Sequence, residues 1–416
     1  MGQQSYLENW LSSKPENTRS PQFVMRSGID LPLLLVTITL LVFGMIMVFS
    51  ASYGPSFLYT DGASSSQMFN RQFMWLGVGL VLMLFSTLFN YHIWQRFALV
   101  GMGLTIILLA LVLFFGESSG GYSRNFLGGS YQPSEIAKLM TVIYLSVWMH
   151  SKRDLLSNFH FGLLPLSAIL GIVGALILKQ PDLSAAATVI IMGGILFFIA
   201  GGDWKQLIMF IGLALIFGLL VIKLSSYGTD RISSYIPGLK DPMSSSVHVQ
   251  RALSAFAHGG WFGVGLGKGT IKLTILPFPQ TDSIFAVVGE EFGVLGAAVV
   301  IVLFCLFLWR GLVIANKAPD NLGMLLASGI TIWITFEAFV NMLALTGLLP
   351  FAGNVLPFFS VGGSSLVFSL LGVGILLNIS RLSEKKKLEE DRRTYSAVVD
   401  LRGLNGGRRL SRSRRS

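Results

Sequence analysis

Residues 282–309 read DSIFAVVGEEFGVLGAAVVIVLFCLFLW. The stretch exceeds the ~20 residues a helix needs to cross ~30 Å of hydrocarbon, so it reads as a membrane-embedded helix. It also poses a problem. Asp282 opens the run, and Glu290 and Glu291 lie well inside it. Only 21 of the 416 residues are acidic. A carboxylate inside a membrane is costly unless it is paired or used.

The rest of the chain agrees with a membrane setting. It is 52% hydrophobic and 12% charged, with a mean hydropathy of +0.66. A soluble chain of this length carries about twice that charge. Ten apolar segments can be read, at 30–51, 73–90, 97–116, 134–150, 163–179, 184–201, 205–224, 283–309, 322–347 and 358–380. The expected fold is therefore an all-α polytopic membrane protein of about ten transmembrane helices. An even number places both termini on one face. Lys152/Arg153, Lys205, Arg310/Lys317 and the basic tail fall on that same face, which the positive-inside rule makes cytoplasmic.

Three parts follow from this frame. Residues 1–29 are a polar cytoplasmic extension without a cleavable signal. Residues 30–382 form the membrane domain. Residues 383–416 form a basic cytoplasmic tail, expected to be disordered because it has little to bury. From Arg381 onward, twelve Lys/Arg face five Asp/Glu, which is +7 of the net +10. Such a tail suits anionic lipid or a protein partner better than nucleic acid. Cys305 is the only cysteine, so no intrachain disulfide can form. Two outer connections are longer than a turn needs: 117–133, and the large extracytoplasmic loop 225–282 between the seventh and eighth helices. The second interleaves aromatic and aliphatic residues with glycines, so it is expected to pack on the bundle and to contain short helices near the membrane surface. Long irregular loops in a compact fold tend to carry function.

Several polar residues admit both a structural and a functional role. In QPSEIAK, Glu135 and Lys138 are three apart and share a helix face. They are either a buried ion pair, or a cavity-facing lysine that receives an anion and is held by Glu135. Arg124, in GGYSRNF, is either solvated or grips phosphate bidentately. Asp182, in KQPDLS, is a helix cap whose loop faces the same cavity. Ser364 and Ser365 close LPFFSVGGSS, where small residues favour tight packing or leave an open helix N-terminus for a phosphate. GGWFGVGLGKG at 259–269 lacks the strand and helix of a nucleotide-binding unit. Its glycines let backbone approach a lipid-linked substrate or a neighbouring helix. Asp282, in QTDS, reads as a cap or as a functional carboxylate. Glu290 and Glu291 lie ~12 Å deeper along the helix, too deep to cap its end. At least one should bond polar groups on other helices. There is no Cys/His metal spacing, nucleophile elbow or Walker loop.

In chain order, GMIMVFSAS (44–52), QPSEIAKL (132–139), QPDLS (180–184), GVGLGKGTIKL with TDSIFAVVGEEFG (263–293) and GLLPFAGNVLPFFSVGGSS (347–365) resemble the SEDS family of bacterial membrane proteins. The resemblance covers about residues 30–382. It implies a peptidoglycan glycosyltransferase that polymerises lipid II, a disaccharide-pentapeptide on undecaprenyl pyrophosphate, at the outer face of the plasma membrane. On that basis Asp282 is the catalytic carboxylate. Arg124, Glu135 and Lys138 line the cavity, and Lys272 and Gln250 are further substrate contacts. Asp182, Glu290, Glu291, Ser364 and Ser365 are supports. The resemblance names no certain cofactor, and a divalent cation is left open. The implied partners are a class B penicillin-binding protein, the transpeptidase that crosslinks the glycan, and other divisome proteins. GLGKGTIKL and VGEE are nearer the division-type pattern than the elongation-type one, which points to the division septum. This chain departs from the family pattern in LPFPQTDS, which lacks the usual glutamate, and at Ser184 and Val361. The competing readings are an elongation-type polymerase, a lipid II flippase or ion-coupled carrier, and a docking scaffold.

Overall fold

The structure, a computed structural model, describes residues 28–59, 66–119, 122–125, 131–224 and 226–410. The N-terminal extension up to residue 27 lies outside them. All ten apolar segments fall on helices: α1 (Leu31–Tyr59), α2 (Gln67–Leu88), α3 (Ile93–Phe115), α4 (Pro133–Ser151), α5 (Leu163–Lys179), α6 (Leu183–Ile199), α7 (Trp204–Leu224), α11 (Ile284–Asn316), α12 (Asn321–Leu345) and α13 (Gly363–Leu410). Among the described residues, seven helices are long and apolar enough to cross a membrane, and α5 and α6 are shorter apolar helices. The fold is thus a bundle of apolar helices, as composition requires.

The bundle is not uniform. In their most apolar windows, α12 is 72% buried and α13 78%, whereas α7 is 11% buried. The central helices are therefore α12 and α13, with α2 packed along α13 and α11 along α12. Helix α4 sits against α12 with Glu135, Lys138 and most of its length buried. Helix α7 lies at the periphery and shows its leucines and isoleucines outward.

The long loop folds onto the bundle, as its aromatic and aliphatic content leads one to expect. It forms α8 (Ser226–Gly238), a 3₁₀ turn at Pro242–Ser244, α9 (Val247–Gly259) and the one-turn α10 (Ile271–Thr274). Helix α9 packs on α11 and α12. One feature differs from the sequence-based expectation: a short antiparallel hairpin, β1 (Glu117–Ser119) with β2 (Tyr122–Asn125), interrupts an otherwise helical fold among the described residues. Helix α13 continues from the bundle to Leu410. The physical reason lies in the sequence. Lys385–Glu389, Lys386–Glu390 and Lys387–Asp391 are i,i+4 pairs of opposite charge, which support a helix without burial.

Candidate active site and its supporting clusters

Asp282 sits in a turn held from three sides. The Phe278 carbonyl accepts from Thr281 N at 3.1 Å and Ser283 N at 3.3 Å, closing the turn on itself. From α12, Asn341 Nδ2 donates to the Asp282 carbonyl at 3.0 Å. From the segment before α13, Ser360 Oγ donates to Thr281 O at 2.7 Å, and Val361 N donates to Gln280 O at 2.8 Å. That segment is itself pinned by Gln72 of α2, whose amide bonds Ser360 O and Gly362 N, each at 3.2 Å. The backbone of Asp282 is therefore fixed by side chains from three helices and their approaches. The cap position of α11 falls on Ser283, one residue later, so Asp282 is not the capping residue that QTDS suggests. Its carboxylate reaches toward Gly353 instead. A Cβ at Gly353 would lie 3.3 Å from Asp282 Oδ2 and 3.8 Å from Arg231 Nη2. Carboxylate and guanidinium thus meet over the same glycine at the end of the bundle where α11 begins.

Glu290 and Glu291 sit just before a break in α11. Gly293 has φ 68° and ψ −166°, so the helix is two halves joined at this residue. The freed backbone groups are taken up by the glycine-rich loop. Val264 N and Gly265 N donate to the carbonyls of Glu290 and Glu291, each at 3.0 Å. Val294 N donates to Gly260 O at 2.9 Å, and Leu295 N to Trp261 O at 3.3 Å. Unsatisfied backbone at membrane depth costs several kcal/mol per group, so this exchange permits the break. Gly263 is required by the close approach, since a Cβ there would lie 2.1 Å from Glu291 O. Of the two approaches the glycines could serve, the structure shows the one to a neighbouring helix.

The two glutamate side chains hold the same loop. Glu290, fully buried, accepts through Oε1 from Thr270 N at 2.8 Å, Ile271 N at 2.9 Å and His258 Nδ1 at 3.1 Å. Glu291 Oε1 accepts from Ser50 Oγ of α1 at 2.7 Å and from Lys272 Nζ. Lys272 also donates to Ser50 Oγ at 2.6 Å and is only 5% exposed. Its ammonium is thus held by a carboxylate and a hydroxyl, at the wall of a cavity lined also by Ile46, Phe49, Tyr53 and Leu273. The Gln250 amide donates to Met243 O at 2.6 Å and Ser245 O at 2.7 Å and so braces the loop itself.

The ion-pair reading of Glu135 and Lys138 matches the geometry. Lys138 Nζ lies 2.8 Å from Glu135 Oε1 and also contacts Glu337 Oε1 of α12. Glu337 Oε2 accepts from Trp333 Nε1 at 3.0 Å. All three charged residues are 2–3% exposed. Lys138 is occupied by two carboxylates, which leaves it little positive charge to offer an anion. Asp182 caps α6 as expected, accepting from Ala185 N at 3.0 Å. Its second oxygen takes Gln132 Nε2 at 2.9 Å and Ser134 Oγ at 3.2 Å, tying α6 to the start of α4. Ser364 Oγ accepts from Gln132 N at 3.3 Å, and Ser365 is buried beside it. Arg124 lies on β2, and its side chain falls outside the described residues.

Sequence reasoning missed Glu337, Asn341 and Arg231. Glu337 and Asn341 are four apart within the apolar segment 322–347, the signal already used for Glu290 and Glu291. Arg231 had no such signal, because a loop arginine is ordinarily solvated. Among the described residues, no three His, Cys, Asp or Glu side chains come together as a metal site.

Comparison with known proteins shows the family. The family described as "Cell cycle protein", that of FtsW, RodA and SpoVE, matches residues 31–385. The "Stage V sporulation protein E" of Bacillus subtilis (strain 168) is 36% identical over 361 residues, 85% of this chain and 97% of that protein. The "Probable peptidoglycan glycosyltransferase FtsW" of Trichlorobacter lovleyi is 39% identical over 359 residues, 84% of this chain and 93% of its own length. The fold is similar to a chain solved in "Structural coordination of polymerization and crosslinking by a peptidoglycan synthase complex". The TM-score is 0.70 at 27% identity, covering 85% of this chain and 98% of that one. It is also similar to the rod shape determining protein RodA of Thermus thermophilus, with a TM-score of 0.62 at 26% identity, covering 87% and 98%. The chain belongs to the FtsW, RodA and SpoVE family of cell cycle proteins.

Proposed function

We propose that this chain is a peptidoglycan glycosyltransferase that polymerises lipid II at the outer face of the plasma membrane, in septal synthesis. The observation that carries this reading is the Asp282 turn. Three helices and their approaches fix the backbone of one carboxylate, beside an arginine, at the outer end of a membrane bundle. In the reaction, the acceptor sugar's 4-hydroxyl oxygen forms a bond to the donor's anomeric carbon, and the bond from that carbon to pyrophosphate breaks. Asp282 takes the hydroxyl proton, which general-base catalysis makes worth ~10²–10⁴-fold. Arg231, whose guanidinium meets the same point over Gly353, supplies positive charge as the pyrophosphate leaves. Glu290, Glu291 and Lys272 lock the loop against α11, and Lys138 with Glu135 and Glu337 locks α4 to α12. Both act by holding the site in shape.

In this reading α1–α7 and α11–α13 are the ten spans, both ends of the chain are cytoplasmic, and the loop carrying α8–α10 is external. The partner is a class B penicillin-binding protein. The proteins similar to this chain support that choice, since one was solved in a synthase complex of polymerisation and crosslinking.

The test is lipid II polymerisation in proteoliposomes with the partner present, comparing wild type with Asp282→Asn. The substitution keeps the side chain's shape while removing its basicity. The expected result is at least a ~10²-fold loss of polymer at an unchanged melting temperature. Full activity of the variant would move the base elsewhere. A wild type that makes no polymer would favour a transporter or a scaffold instead.

A further inference from the structure

Helix α1 has two unlike faces. On one, Leu40, Met47 and Ala51 are buried, and Phe43 meets the rings of Phe292 and Phe359 at 5.3 and 5.4 Å. On the opposite side, Ile38, Val42, Ile46 and Phe49 form a stripe at helical spacing, and all four are exposed. That outward stripe is not flush with its neighbour. Between it and Phe73 and Leu80 of α2 runs an apolar cavity of about 500 Å³. A second cavity, of about 450 Å³, lies against the long loop, walled by Tyr53 of α1 and by Lys272 and Leu273 of α10. Ile46 and Phe49 line both, so the two form one furrow along α1. From Ile38 to Tyr53 the furrow runs ~22 Å along the helix axis.

The two ends of the furrow differ in chemistry. The Ile38 end has hydrocarbon walls, and the loop end holds an ammonium. Lys272 donates to Ser50 Oγ and to Glu291 Oε1. An ammonium carries three N–H donors, so one of them has no protein partner among the described residues, on a side chain that lines the cavity. A charged donor left over in an apolar wall is costly until an acceptor oxygen meets it, and a phosphodiester does so through a charge-assisted bond. Tyr53, exposed at the same end, has the amphipathic ring that sits at headgroup level. The remaining length fits one extended hydrocarbon chain, and leaving it unfilled would forfeit the dispersion contacts of both walls. The loop is already seated closely here, since a Cβ at Gly54 would lie 2.7 Å from Leu273 Cδ2.

We propose that this furrow is a resident site for a glycerophospholipid, with its phosphodiester on Lys272 and one acyl chain along Ile46, Val42 and Ile38, pinning the loop to α1. The occupant is bulk membrane lipid rather than substrate, because the furrow opens on the side of α1 turned away from the bundle. Asp282, by contrast, is held by α12 and the segment before α13. The proposal goes beyond the polymerase reading and stands without it.

The test is native mass spectrometry of the full-length chain released from detergent after equal exposure to dioleoylphosphatidylglycerol, dioleoylglycerol and undecaprenyl phosphate. Wild type should retain one phosphatidylglycerol about tenfold more often than dioleoylglycerol, the effect of one charge-assisted hydrogen bond. Ile46→Trp, which fills the furrow where its two parts meet, should lose the retained lipid at an unchanged melting temperature. Lys272→Met should bring the two glycerolipids to parity; should it fail to fold, wild type and Ile46→Trp still decide. In limited proteolysis, added phosphatidylglycerol should slow cleavage around residues 264–274 in wild type and have no effect in Ile46→Trp. Equal retention of the two glycerolipids by wild type would overturn the headgroup contact, and undiminished retention in Ile46→Trp would overturn the furrow. Undecaprenyl phosphate displacing phosphatidylglycerol mole for mole would overturn the phospholipid as occupant and give the furrow to a substrate-type lipid. None of these readouts depends on polymer, so failure here and failure of the polymerase reading are distinct.

Discussion

Two lysines are buried in this bundle, each against glutamate, and they are held for different purposes. Lys138 meets Glu135 on its own helix and Glu337 across on α12, so every partner belongs to a packed helix. Lys272 belongs to the long loop before α11 and meets Glu291 of α11 and Ser50 of α1. Its neighbour Glu290 bonds the loop's backbone N–H groups rather than a lysine. The first cluster joins helix to helix, and the second joins loop to bundle. The lesson concerns what a buried charge signals. At both places the costly group marks a joint, and the carboxylate assigned to chemistry is the half-buried Asp282, which is held by its backbone.

The largest expected effect is at the first joint. Lys138→Ala leaves two carboxylates buried without their cation, a loss of about 3–5 kcal/mol for a broken buried pair. The melting temperature of the purified variant should fall by several degrees, with polymerisation lost as a consequence. The combined replacement Glu135→Gln, Lys138→Met, Glu337→Gln should recover much of that stability, since removing every charge together leaves no unpaired ion. If Lys138→Ala melts with the wild type, the cluster does not join α4 to α12 and the comparison fails at its stronger end.

Lys272→Ala should cost less, about 1–3 kcal/mol, because Glu291 keeps the Ser50 hydroxyl as a donor. Its signature should also be local. Limited proteolysis should cut the loop faster around residues 264–274, while the bundle's thermal transition moves little. A global drop equal to that of Lys138→Ala would mean the loop is part of the core, and the distinction between the joints would disappear.

Much of this was legible in the sequence, for reasons that can be named. Apolar length located the ten segments that fall on α1–α7 and α11–α13, because apolar chain in hydrocarbon has no alternative to helix. The Glu135–Lys138 pair followed from spacing, and the cap at Asp182 from its place between a proline and an apolar run. The swapped hydrogen bonds at Gly293 were not legible. They join residues 260–265 to 290–295, and nothing in local periodicity says that a helix interrupted there is completed by a loop. Arg231 escaped for a similar reason, since its meeting with Asp282 over Gly353 depends on three segments far apart in the chain.

The smallest expected effect comes from a third charged cluster, exposed, which tests whether burial is what separates a joint from a surface contact. Asp320 caps α12 by accepting from Gly323 N at 2.7 Å. It also accepts from the Tyr91 hydroxyl at 2.8 Å and lies 2.8 Å from His92 Nε2, with side-chain exposures of 46% for His92 and 33% for Asp320. Burial alone would raise the Asp320 carboxyl. The bonds from Gly323, Tyr91 and His92 outweigh it and hold the group below the usual carboxylate range. A depressed carboxyl stabilises the fold at any pH above its unfolded value, and that contribution is lost as the pH falls through the lower, folded value. Stability at neutral pH should therefore not vary with the Asp320 titration, and Asp320→Asn should lower that neutral plateau and flatten the acid limb of the melting profile. His92→Gln should change stability by less than about 1 kcal/mol, as exposed pairs do. A loss in His92→Gln as large as that of Lys272→Ala would show that joining distant elements sets the cost, and that burial does not.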